Sequence, residues 1–350
     1  MFIAKKFLII FFIFICAPLN NFSNLHSEEL KVDDFGIIGL MYHRFEENKY
    51  PSTNIRMKEF EKHLNLIKEN NIQFVNPYKF NFYLKDLKNE RKVLITIDDA
   101  FASFYLNAWP LLKKNKIPFI LFVSTREIGK YGYMTWDQLR ELKKFDFVYI
   151  GNHSHSHEYL IDENKEVILE DLSTSIKLLK NELNISPIFF SYPFGEYSNE
   201  LKKIVNNLNF NYAFGQHSGV IDETKNNLEL PRFPINEKYG EINRFKTLLK
   251  TLPLKYKSIS PEERYLTDND NPPKVEINFF ENIKNLNLIN CFSNEENKWR
   301  KSLIEFESEN ILKIKLSGKF VTERGRINCS LREKNGFYRW LGIQFVVKEK

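Results

Sequence analysis

The chain has 350 residues, 51 basic against 45 acidic, which leaves a formal charge of +6. That length suits one large domain plus a smaller one. The charges are scattered, with no Lys/Arg block of the kind that tracks a phosphate backbone, so nucleic acid is excluded as the expected partner.

The N-terminus carries Lys5 and Lys6, an unbroken apolar run from Phe7 to Ala17 and then a polar stretch, the layout of a secretory signal over residues 1–27. The run is short for a membrane span of about 20 residues. No clean small-x-small cleavage site follows, so an uncleaved anchor, and with it a membrane tether through the N-terminus, is the alternative. On either reading the chain is exported, to the periplasm, the cell envelope or the medium. The mature chain then holds only Cys291 and Cys329. A disulfide and two unpaired core cysteines both stay open for them.

Strand expectations follow in order: "GIIGLMYH" from Gly36, "VLITIDD" from Val93, "PFILFVS" from Pro118, "FVYIGNH" from Phe147, "PIFFSYPFG" from Pro187 and "NYAFGQH" from Asn211. Each is apolar throughout, as strands buried on both faces are. Helical patterns alternate with them: Phe60, Leu64 and Ile67 share one face, and Leu169, Leu172, Ile176, Leu179 and Leu183 another. "TWDQLREL" begins with Thr135 and has Gln138 three residues on, a capping-box start. Alternation of strand and helix predicts parallel βα units, hence a doubly wound sheet or a barrel. Residues 255–273, ending in "TDNDNPP", read as a linker. Residues 274–350 read as a small antiparallel β-rich domain of unknown role.

Three strands end in ionisable residues: His43, the Asp98–Asp99 pair, and the cluster His153, His155 and His157. In parallel α/β architectures the C-terminal strand ends converge on the face where active sites lie. Neighbouring carboxylates at a strand mouth point in different directions, so one can hold a metal while the other serves as a base. If the strand continues, the three histidines face one side; if the chain turns helical, only His153 and His157 do. Either arrangement offers two imidazoles, and two His with one Asp and an open position make a normal catalytic site for a divalent metal. A phosphatase reading fails on spacing, since aspartate-nucleophile enzymes want Asp-x-Asp.

"TIDDAF" and "GNHSHSH" resemble, in order and spacing, the first two motifs of the polysaccharide deacetylase family, the NodB-homology domain or carbohydrate esterase family four. "FFSYPFGEYS", Phe189 to Ser198, is similar to the third motif in the form of exported poly-N-acetylglucosamine deacetylases. The resemblance covers residues 32–254. It implies a distorted (β/α) barrel of about seven strands, followed here by the small C-terminal β-rich domain. The implied activity is removal of N-acetyl, sometimes O-acetyl, groups from a polysaccharide or oligosaccharide. Position by position it implies Asp98 as the catalytic base and Asp99, His153 and His157 as ligands of one divalent metal ion, zinc first, with cobalt and nickel as alternatives. His155 falls on a variable position. A metal-activated water, deprotonated with help from Asp98, attacks the acetamide carbonyl, with the backbone N–H of Phe194 as oxyanion donor.

Three departures qualify that carry-over. Ala100 replaces a motif Gly, a mild change if no positive φ is needed there. Ser191 stands where the third motif has Arg, and Arg232 in "LPRFPI" is the candidate orienter of Asp98 from elsewhere. No late Leu-x-His supplies the usual general acid, which leaves His217 or His43. Tyr192, Pro193 and Tyr197 are substrate-binding candidates. Core packing is the default for Trp109, Trp136, Tyr338 and Trp340. His63, beside Glu61 and Lys62, is expected to be solvated, and His26 belongs to the signal. The missing Arg and late His allow an alternative, a catalytically weakened carbohydrate-binding relative.

Overall fold

Ile37–Tyr42 (β1), Lys92–Ile97 (β2), Phe119–Val123 (β3), Val148–Asn152 (β4), Phe189–Ser191 (β5), Tyr212–Phe214 (β6) and Val220–Ile221 (β7) line up as one curled sheet in the order β7-β1-β2-β3-β4-β5-β6. Neighbours from β1 to β6 are parallel, and only β7 runs antiparallel to β1. The computed structural model describes residues 35–87, 90–281 and 283–348. The signal or anchor reading of residues 1–27, with His26, lies outside the described residues. Among the described residues, no helix is long and apolar enough to cross a membrane.

The continuous apolar runs are explained by period-2 geometry with both faces covered. Ile38, Leu40, Val93, Ile95, Ile97, Phe119 and Leu121 pack on the side of the helix Met57–Glu69, against Phe60, Leu64 and Ile67. The alternate residues Ile37, Leu94, Ile120 and Phe122 meet Phe189 and Phe214 on the other side. Thr96 and Asp98 continue the parity of Leu94, which carries that face from apolar to polar as the strand reaches its C-terminal end. The long helix Lys165–Leu183 buries Ile168, Asp171, Leu172, Ser175, Leu179 and Leu183, while Leu169 and Ile176 are partly buried. At Thr135 the capping box forms in both directions with Gln138.

The stretch 255–273 is not an irregular linker: Tyr256–Ser260 and Tyr265–Leu266 are strands. Tyr256–Ser260 joins an antiparallel four-stranded sheet with Val275–Phe279, Ile311–Lys315 and Leu303–Ser308. The second sheet centres on the hairpin Arg324–Arg332 (β8) and Tyr338–Val347 (β9). It is largely antiparallel, but Thr251–Pro253 and Tyr265–Leu266 add to β9 in parallel, so the chain crosses the expected boundary by strand pairing. Cys291 and Cys329 sit opposite each other across Asn290–Ser293 and β8 and are joined by a disulfide.

Candidate active site

Asp98 follows β2, and its N–H continues the ladder to Tyr42 O at 2.9 Å. Its carboxylate is fully buried and gripped on both oxygens by Arg232, Nη1 to Oδ1 at 2.7 Å and Nη2 to Oδ2 at 2.9 Å. Ser191 Oγ adds a bond to Oδ2 at 3.2 Å. Arg232 also donates Nε to Gly215 O, Nη1 to Thr96 Oγ1 and Nη2 to Ser191 Oγ. All five guanidinium donors therefore have acceptors, which is what an arginine with no solvent exposure requires. Burial, the largest single influence, pushes the Asp98 carboxyl up, but the Arg232 charge and hydrogen bond, together with His153 and His43, outweigh it and hold it below its ordinary value. Ser191 thus stands beside the Arg232–Asp98 pair, bonded to both.

Asp99, one residue on, turns the opposite way. Its φ of +73° and the φ of +56° at Ala100 swing the chain out of the strand. Positive φ is therefore required at Ala100, and the Gly-to-Ala departure is a strained one. Asp99 Oδ1 lies 3.4 Å from His153 Nε2 and 3.2 Å from His157 Nε2. One donor atom from each of the three falls within 4.8 Å of the others. His153 extends β4 by donating its N–H to Val123 O. Its Nδ1 donates to Ser191 O at 2.7 Å, since a carbonyl only accepts. Its other nitrogen, Nε2, faces Asp99 Oδ1, the orientation of a metal-ligating imidazole whose Nδ1–H is held by a carbonyl. Two imidazoles and one carboxylate, part-exposed on one side, fit a divalent transition metal.

The His153–His157 loop is tied down by groups the sequence reading missed. Asp171 accepts from the N–H groups of His155 and Ser156, both at 2.8 Å, and Ser175 Oγ donates to Ser154 O. The signal for them was available: two polar residues on the apolar face of a long helix. His157, with φ +56°, donates its N–H to Ser154 Oγ. His155 is outside the cluster, with Nδ1 2.8 Å from Thr125 Oγ1. At the rim, Tyr133 lies close enough to Asp99 for that charge to help raise its hydroxyl pKa, after burial. It pairs with Phe101, over which Arg44 stacks at 3.4 Å.

Phe194 has φ +57°, its ring 4.7 Å from His157 and stacked on Tyr159 at 4.1 Å. Its neighbours do not line a sugar groove. Tyr192, Pro193 and Tyr197 are buried, and the Tyr192 hydroxyl donates inward to Leu228 O. Their candidacy as substrate contacts is corrected: aromatic area fills the core before it lines a cleft.

The histidine alternatives separate. His43 is half-buried after β1; burial lowers its pKa, while the charges of Asp99 and Asp98 pull it up. His217 is half-buried, and burial, with the charges of Arg264, Lys225 and Arg232, presses its pKa down to about 3. Its backbone carbonyl accepts from Arg232 N–H. A ring held that far below its ordinary value stays neutral at moderate pH, which makes His217 the weaker of the two general-acid candidates. His63 is buried rather than solvated: Nδ1 is 3.2 Å from Tyr42 Oη, Nε2 is 2.7 Å from Gly240 O, and the ring stacks on Phe245 at 3.8 Å.

The family model for polysaccharide deacetylases matches residues 85–213. The chain is 30% identical over 166 residues to YxkH of Bacillus subtilis (strain 168), whose name assigns it provisionally to that group; the match covers 47% of this chain and 58% of YxkH. It is 24% identical over 237 residues to the poly-beta-1,6-N-acetyl-D-glucosamine N-deacetylase of Staphylococcus aureus (strain MRSA252), covering 57% of this chain and 82% of that one. In fold it is similar to IcaB from Ammonifex degensii, with TM-score 0.56, 24% identity and coverage of 62% and 97%. The Streptococcus pyogenes deacetylase PplD gives TM-score 0.54, 24% identity and coverage of 58% and 94%.

Proposed function

We propose that this chain, which carries a polysaccharide deacetylase domain, is a metal-dependent hydrolase that removes acetyl groups from an N-acetylated glycan outside the cytoplasm. The observation that carries the reading is the convergence of Asp99, His153 and His157 beside a second, separately ionised carboxylate on Asp98. The first three would hold the divalent ion, zinc by preference, which supplies Lewis acidity toward a carbonyl oxygen and eases deprotonation of water.

The chain's own residues supply the rest. Asp98 takes a proton from the attacking water, kept ionised for this by Arg232 and oriented by Ser191. The Phe194 N–H stabilises the oxygen that becomes negative as the carbonyl carbon turns tetrahedral. Cleavage of the carbon–nitrogen bond then needs a proton on the departing amine, and His43 is the candidate donor. Burial first lowers its pKa, and the charges of Asp99 and Asp98 oppose that lowering. The Cys291–Cys329 disulfide supports an oxidising, exported location.

The test is acetate release from N-acetylglucosamine oligomers, poly-N-acetylglucosamine and peptidoglycan fragments with zinc, cobalt or nickel present. Asp98→Asn is expected to lower the rate by about 100- to 10,000-fold. Glycan binding without release from any of these, for wild type and Asp98→Asn alike, would replace the hydrolase with a carbohydrate-binding relative.

A further inference from the structure

The turn that brings Phe194 against His157 is gripped from outside the barrel. Arg324, the first residue of β8, donates Nε to Glu196 Oε1 at 2.6 Å, and its guanidinium carbon lies 5.5 Å from the Phe194 ring centre. Gln344 in β9 donates Nε2 to Gly195 O at 3.2 Å, and its Oε1 accepts from Arg326 Nε at 3.4 Å. Glu196 and Gln344 are both almost completely buried.

The same hairpin supports a second loop. A Cβ at Gly342 would lie 2.2 Å from Ser218 O, and Gly219 and Leu341 form a β bridge. Gly195, at φ +73°, packs so closely on Gln216 that a Cβ would come within 2.3 Å of its side chain. The two loops are therefore wedged together under β9. One carries Phe194 to His157, and the other carries the Gly215 carbonyl that receives Arg232 Nε.

Stability alone is a poor reason for this arrangement. A largely buried Glu–Arg pair gives up much of its attraction to desolvation, and Glu196 Oε2 has no partner among the described residues. An aromatic residue held in the left-handed region persists only where its surroundings over-determine it. Here the surroundings that do so come from a segment more than 120 residues along the chain.

Resting on the deacetylase reading, we propose that the β8–β9 hairpin is a positioning element of the catalytic centre, in which Arg324 and Gln344 hold the turn from Pro193 to Glu196 so that Phe194 stays against His157.

The full chain carries the test, with variants Arg324→Ala, Arg324→Lys and Gln344→Leu and, as a control on a distant exposed strand, Lys315→Ala. Misplacing a catalytic group by about 1 Å can cost about 100-fold, so Arg324→Ala and Gln344→Leu should lower kcat for acetate release by about 10- to 100-fold. KM should stay within about threefold, zinc affinity should be unchanged, and Arg324→Lys should recover part of the loss. Backbone hydrogen exchange of residues 192–199 should rise about tenfold, while that of β1 to β3 stays at the wild-type rate. Unchanged kcat overturns the proposal even if exchange rises, since the contacts would then serve stability only; so does unchanged exchange. If Arg324→Ala does not fold, Gln344→Leu, which removes one amide, decides. If wild type releases no acetate, the deacetylase reading fails by itself, and exchange in 192–199 still decides whether the hairpin fixes the turn.

Discussion

Asp98 meets a guanidinium and a hydroxyl in a closed pocket, whereas Asp99, one peptide further on, meets two imidazole nitrogens at a half-buried rim. The closed region is balanced as it stands: every donor of Arg232 is met, and the carboxylate charge has a countercharge. The rim region instead gathers a carboxylate oxygen and two imidazole nitrogens within 4.8 Å of one another, a donor set suited to a divalent ion. Identical residues in sequence are thus divided between two kinds of chemistry by a left-handed step in the backbone. Mutations on the two sides should be read out by different measurements.

The largest contrast should appear in zinc binding. Removing groups that merely orient a metal ligand costs about 10- to 100-fold in affinity, so removing a ligand itself, by Asp99→Ala or His157→Ala, should cost more than about 100-fold by calorimetry. Asp98→Asn and His155→Ala should stay within about tenfold of wild type. Equal losses for His155→Ala and His157→Ala would sink the assignment of ligands. Stability gives the reverse contrast. Arg232→Met strands the Asp98 charge in a dry pocket and should cost about 3–5 kcal/mol in chemical denaturation. Adding Asp98→Asn should restore much of that loss; if the double variant is no better than the single one, the closed pocket is not held by charge balance.

Acid should act on stability through two histidines outside the rim cluster. His217 and His63 have pKa values lowered to about 3 and about 4 by burial first, so both rings stay neutral in the fold while the unfolded chain takes up protons below about pH 6.5. Unfolding then binds protons, and stability falls from about pH 6.5 downward until the folded rings titrate, by about 2 kcal/mol per ring at pH 5. His217→Asn should flatten that slope, and an unchanged slope would show that the ring titrates freely in the fold. The smallest effect concerns the step between the two regions. Ala100→Gly relieves a residue at φ +56° and should stabilise by about 0.5–1 kcal/mol after the entropic cost of glycine, seen as a higher melting temperature.

Much of the fold was legible because covered parallel strands announce themselves as apolar runs, and six such runs became β1 to β6. His63 was misread because Glu61 and Lys62 flank it in sequence, yet neighbours one and two residues away occupy other helix faces. Tyr192 and Tyr197 were misread because an aromatic residue near a motif gives no sign of which way it packs. The stretch 255–273, polar and rich in proline, hides two short strands whose pairing partners lie elsewhere in the chain.

The sequence by itself determined which residues stand at the strand ends, because alternation and strand length are local properties. It also put Asp98, Asp99, His153 and His157 within reach of one another, since parallel strands share a C-terminal edge. Only the tertiary structure decided that Arg232, 134 residues from Asp98, closes the pocket behind it, and that Arg324 and Gln344 grip the Phe194 turn. Those contacts join segments whose separation along the chain leaves no periodic trace, so only the packed molecule brings them together.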